Sequence, residues 1–265
     1  MKEVLGDRED VRVIGCTFQN KIIDLIRDYI NGLSGKYAGI SHIDLFCNYI
    51  DFREFDEADP FYSKRRANRI LRKWMVGSIK QWMDDIPNEV MLTLVQPGQT
   101  IDIEKLCQFI IPEPLIDYSI FARQDDASFD LLDAYTRRAF VIHDELFPLN
   151  EKSIDTWKMV MSSSEIMTKP SSGKLFRLRH KRISIPMSTT CRNQENGGFL
   201  QKSIGFRRFG CLEIDSIDNA YITAVDVNLM WAEAFMLYQL PDYDCNFNPK
   251  DSIEFGMYNV KYYIK

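Results

Sequence analysis

The chain has 265 residues and carries 45% hydrophobic and 27% charged residues, an ordinary globular balance that excludes a disordered or fibrous protein. Its net charge of −5 argues against a nucleic-acid binder that works by bulk charge, and local basic patches then have to carry any such role. No apolar run approaches the roughly 18 residues a membrane span needs, and the start mixes charges without the apolar core of a signal peptide. The six cysteines form no CxxC pair and no Cys/His cluster, so no metal site is expected and reduced thiols in the cytoplasm are the default.

In chain order, residues 1–60 read as a helical N-terminal region. Ile22, Ile23, Leu25, Ile26, Tyr29, Ile30 and Leu33 recur at helical spacing, "NGLSG" stops the run, and "SHIDLFCNYI" resumes it. The acidic "DFREFDEADP" reads as a surface connection. From Tyr62 to Met83 a strong helix places Ile70, Leu71, Trp74, Met75, Ile79 and Trp82 on one side. Continuous apolar runs then predict buried strands at Val90–Val95 and Ala139–Ile142, the second ending in Asp144 and Glu145. "DTWKMVMSS" predicts a helix, "HKRISIPMSTT" a third strand, "RRFGCLEID" a fourth, and "VNLMWAEAFMLYQL" a helix before Pro241. Strands alternating with helices predict an α/β fold, with a mostly parallel sheet flanked by helices over 61–240 and a C-terminal tail over 241–265.

Four segments in order, over about residues 62–240, resemble the virulence-associated protein E family of P-loop ATPases related to superfamily 3 helicases. They are "KWMVG" at Lys73–Gly77, the Asp144-Glu145 strand end, Ser188-Thr189-Thr190 with the "GFRRF" segment, and "WAEA" at Trp231–Ala234. The resemblance implies a helicase-like P-loop core of AAA+ type, found in phage and mobile-element replication modules. It makes Asp144 and Glu145 the Walker B pair and Arg208 the arginine that acts on a neighbour's nucleotide. The phosphate loop departs from the family. After Leu94-Val95 the chain reads "QPGQTIDI", so that only Gly98 offers a permissive backbone, Asp102 stands at the lysine position and Ile103 at the hydroxyl position. A charge pair at 4 Å is worth about 4 kcal/mol at an effective dielectric of 20, so exchanging attraction for repulsion swings phosphate binding by up to roughly 8 kcal/mol. That is comparable with the whole affinity of a micromolar ligand.

The expectation is therefore a catalytically inactive relative with no cofactor, acting through a protein partner, self-association or DNA, with no membrane role. The alternative is a nucleic-acid-dependent ATPase with an atypical phosphate loop, which would need ATP and Mg²⁺. Two basic clusters are nucleic-acid candidates. Lys64, Arg65, Arg66, Arg69, Arg72 and Lys73 put six cations in ten residues, and Arg177, Arg179, Lys181 and Arg182 stand where related helicases carry a DNA-contacting hairpin. The first cluster also reads as the solvated face of a helix.

Overall fold

The structure is a computed structural model that describes residues 19–53, 59, 61–96, 102–123, 131–144, 151–168, 178–191 and 198–264. Helix α1 covers 19–31, and Ile22, Ile26, Ile30 and Leu33 are buried, as their spacing predicts. Helix α2 (His42–Asn48) opens on Ser41, whose hydroxyl accepts from the Asp44 N–H, and leads into a short strand β1 (Ile50–Phe52). Helix α3 (Tyr62–Asp84) runs 23 residues and ends where Asp85 takes a left-handed conformation, φ 60°.

The core strands are β2 (Met91–Gln96), β3 (Ser119–Arg123), β4 (Phe140–Asp144), β7 (Ile185–Cys191) and β8 (Phe209–Ile217). Together with β1 they form a six-stranded sheet in the order β1-β8-β2-β7-β4-β3. All neighbours are parallel except β1, which is antiparallel to β8. Strands β5 (Glu165–Thr168) and β6 (Leu178–Lys181) pair separately as an antiparallel hairpin. The chain leaves β2 in one direction for β3 and reaches β8 on the other side only after β7. The reversal of strand order thus falls at β2, and a sheet of this kind binds its ligand beyond the carboxyl ends of the strands at that point.

Helices cover both faces. Leu92, Leu94, Phe140, Ile142, Ile185 and Met187 face a core shared with α3, α4 (Ile103–Ile110) and α8 (Val227–Gln239). On the opposite face Met91, Val95, Phe209 and Cys211 meet α6 (Glu151–Ser162) and the C-terminal helix α9 (Pro249–Asn259) with its following turn, through Trp157, Tyr258 and Tyr262. Val141 packs beside α5 (Leu131–Arg137) and α6.

One expectation needs correction. The third strand is two: residues 182–184 leave the sheet because the Arg182 guanidinium turns inward and donates to the carbonyls of Met161 and Asn88. Residues 241–264 pack onto the body of the domain. Phe255, Tyr258, Asn259 and Tyr262 are buried, and Leu200 bridges to Tyr263. Among the described residues, no helix is long and apolar enough to cross a membrane.

Candidate functional site

The carboxyl ends of β2, β4 and β7 form the candidate site. Register aligns Asp144 on β4 with Thr189 on β7, and Thr189 with Leu94 on β2. Asp144 is half-buried, and the Thr189 hydroxyl lies 3.4 Å from its Oδ1. One residue earlier, the buried Ser188 hydroxyl donates to Thr93 Oγ1 at 2.9 Å. The adjacent His143 points to the other face, as strand alternation requires. Its Nε2 lies 3.2 Å from the Tyr135 hydroxyl and its ring 4.5 Å from Trp157. Burial pushes its pKa down to about 3, so the ring stays neutral and takes no part in proton transfer near pH 7.

Beyond β2, the two described positions of the loop, Asp102 and Ile103, differ from those of a P-loop. A P-loop needs a bare helix N-terminus whose N–H groups reach the phosphate. Here Asp102 is the N-cap of α4, and its carboxylate accepts from the Lys105 N–H at 3.0 Å. The N-terminus of α4 thus already carries a carboxylate, whose charge opposes an anion at that helix end. Ile103, at the position of the Mg²⁺-holding hydroxyl, is buried in the core and offers no oxygen ligand. Gly98 and Glu145 lie outside the described residues. No group of three or more His, Cys, Asp or Glu able to hold a metal occurs among the described residues.

Arg208 lies at the other end of the sheet. It immediately precedes β8, whose first residue pairs with Met91 at the start of β2. It therefore stands away from Asp144 and serves no site at the carboxyl edge of its own sheet. Its Nη1 donates to the Ile204 carbonyl at 2.9 Å, which folds the side chain back on itself. Gly205, at φ 84°, allows that turn, and a Cβ there would stand 3.0 Å from the guanidinium. Burial first, and the neighbouring Arg207 second, lower the Arg208 pKa.

The basic candidates separate by what already holds them. Arg182 is buried, and burial lowers its pKa to about 10, so it is an interior tie rather than a surface cation. Arg65 pairs with Asp59. Arg69 pairs with Glu254 and lies 3.4 Å from Asp251. Arg66 pairs with Glu254 and stacks 3.6 Å over the Tyr258 ring, Arg72 pairs with Glu233 and Asp44, and Lys73 pairs with Asp251. Five of the six α3 cations, all but Lys64, thus face carboxylates of the chain, mostly from α9 and α8. Lys181 is exposed and pairs with Asp85. Arg179 is placed on β6 by its backbone, and Arg177 lies outside the described residues.

Among the described residues, three buried carboxylates, Glu213, Glu233 and Asp251, were not singled out by the sequence. Glu233, inside the "WAEA" segment, accepts from Ser41 and pairs with Arg72, tying α8 to α2 and α3. Glu213 on β8 takes Arg53, Lys261 and the Tyr262 hydroxyl.

The sequence profile of the virulence-associated protein E-like domain matches residues 50–254. The chain belongs to the virulence-associated protein E-like family. The matched span runs from β1 into α9 and contains all six strands of the main sheet. A comparison with the curated proteins finds no match. Among solved structures, the apo C-terminal region (305–718) of NrS-1 is similar at a TM-score of 0.49 and 11% identity, over 82% of this chain and 51% of that one. A second apo form of that region gives 0.47 and 10%, over 87% and 50%. The chain spans about half the length of these structures.

Proposed function

We propose that this virulence-associated protein E-like chain is a non-catalytic relative of the family's ATPases, a cytoplasmic protein of a phage or mobile-element replication or defence module. It would act by holding a protein partner, another copy or nucleic acid. The observation that carries this reading is the Asp102 carboxylate capping α4 in place of a phosphate. Ile103 in the core adds to it, because the position that carries the Mg²⁺-holding hydroxyl of a P-loop offers none here. The expected result is no saturable ATP-Mg²⁺ binding at sub-millimolar concentration by calorimetry and no phosphate release with or without DNA. Micromolar ATP affinity that Asp144→Asn abolishes would overturn the reading.

One observation favours the alternative of an ATPase with an atypical loop: Asp144 and Thr189 remain aligned across β4 and β7 at the strand ends. DNA-stimulated phosphate release is its signature.

For nucleic acid, the candidates outside α3 are Arg179 and Lys181 on β6, the latter also paired with Asp85, and Arg177, which lies outside the described residues. Reversing all three to glutamate is expected to weaken single-stranded DNA binding at least about tenfold in a mobility shift, with a shallower salt dependence. Unchanged affinity would remove the hairpin from the account.

A further inference from the structure

Helix α3 sorts its cations into two groups. Those between Arg65 and Lys73 face carboxylates, whereas Lys80, two turns further on, has none among the described residues. Its polar neighbour is the Cys245 thiol at 3.9 Å, a weak acceptor. Arg207, exposed in the turn before β8, likewise has no hydrogen bond or ion pair among the described residues. Both line a cleft of about 280 Å³ at the amino end of β2, on the opposite edge of the sheet from Asp144. That volume is near the lower end of small-molecule sites, about 300 Å³. Ile86, Pro87 and Phe247 supply apolar walls and Glu89 one carboxylate. Ser252, in the first turn of α9, lies on the rim.

The walls are held independently of anything inside. The Asn88 side chain donates to the Trp74 carbonyl at 2.9 Å and to Ser78, and its N–H donates to Gln81. Lys73 holds the Asn246 carbonyl at 2.9 Å. Asn259 donates to the Phe206 carbonyl at 3.1 Å and the Phe209 carbonyl at 2.8 Å, bracketing the turn that presents Arg207. The cleft is therefore preformed, and its two cations contribute no ion pair to the fold. A phosphate monoester, carrying about −1.5 to −2 charges at pH 7, matches two cations better than a carboxylate does. Glu89 then suits an amine on the same ligand.

We propose that this cleft binds a nucleoside monophosphate unit whose base carries an exocyclic amine, with the phosphate on Lys80 and Arg207, the ring against Phe247 and Pro87, and the amine toward Glu89. The site is separate from the carboxyl edge of the sheet, and Lys105 of α4 serves as the control for binding there.

Calorimetry on the full chain with AMP, inorganic phosphate and adenosine tests it, and a 5′-phosphorylated oligoadenylate distinguishes a strand end from the free nucleotide. AMP or the phosphorylated strand end is expected to bind at least about tenfold more tightly than either fragment, and Lys80→Met or Arg207→Met to weaken that at least about tenfold. Arg207→Lys should restore most of the loss, and Lys105→Met should change nothing. No saturable binding of AMP or the oligonucleotide up to about 10 mM, a range already weaker than any selective site, would overturn the proposal. So would binding that survives both methionine variants or is lost in Lys105→Met.

Discussion

Replacing Trp231 with alanine will lower the free energy of unfolding by about 3–5 kcal/mol, seen as a drop in the urea midpoint with the slope retained. The indole has no exposed surface and sits among Trp74, Trp82 and Phe140, at ring-centroid distances of 6.3, 5.5 and 6.0 Å. Its Nε1 donates to the Ile110 carbonyl at 2.9 Å, which ties α8 to the last turn of α4. Truncation removes the apolar area, leaves a cavity that rigid aromatic neighbours fill poorly, and orphans that carbonyl. Trp231→Phe keeps most of the area and is expected to cost about 1–2 kcal/mol less than the alanine change. Phe61, 66% exposed, is the matched control, and its alanine variant should stay within about 0.5 kcal/mol of the parent. Against a total of about 5–15 kcal/mol for a typical domain, the Trp231 loss is a large fraction.

Glu213→Gln will cost about 2–3 kcal/mol at pH 7, near the lower end for breaking a buried ion pair because two of the partners keep contact with water. The carboxylate is fully buried and receives Arg53 Nη1 at 2.8 Å, Lys261 Nζ at 2.6 Å and the Tyr262 hydroxyl at 2.8 Å. Burial pushes its pKa up, but the Lys261 hydrogen bond and charge, followed by the bonds from Arg53 and Tyr262, outweigh that and hold it below the ordinary glutamate value. Its stabilisation is therefore full above the unfolded-state pKa of about 4.3 and disappears as pH falls through the lower native value. The wild-type chain should lose stability below about pH 4.3 more steeply than Glu213→Gln, so that their midpoints converge at the acid end. Parallel curves across that range would contradict this account.

The strands that sequence reading located are those buried on both faces, where continuous apolar runs such as "VMLTLV" leave little ambiguity. Strand β1 has three residues, and β3 reads "SIFAR" with half-buried positions, so neither generates a run or a clean alternation. Asp102 was visible as a charge in the wrong place. Its capping role was also readable, because an acidic residue directly before the apolar periodicity of Ile103, Leu106, Cys107 and Ile110 is a helix-start signal. Part of the neutralisation of α3 was readable, because the acidic stretch just before it supplies Asp59 to Arg65; the rest was not, since Asp251 and Glu254 lie 178 and 185 residues from Lys73 and Arg69, and no linear spacing joins them. The cleft was hidden for the same reason, its two cations coming from α3 and from the turn before β8.

Asp251 and Glu254 of α9 act as a counterweight to the basic flank of α3. Where this domain can be severed is consequently a question of charge as much as of hydropathy. A fragment stopped at residue 240 would shed those acids and expose a polycationic ridge around Arg66, Arg69 and Lys73. It would cling to heparin or any nucleic acid, and that adhesion would be an artefact of the cut, easily mistaken for recognition.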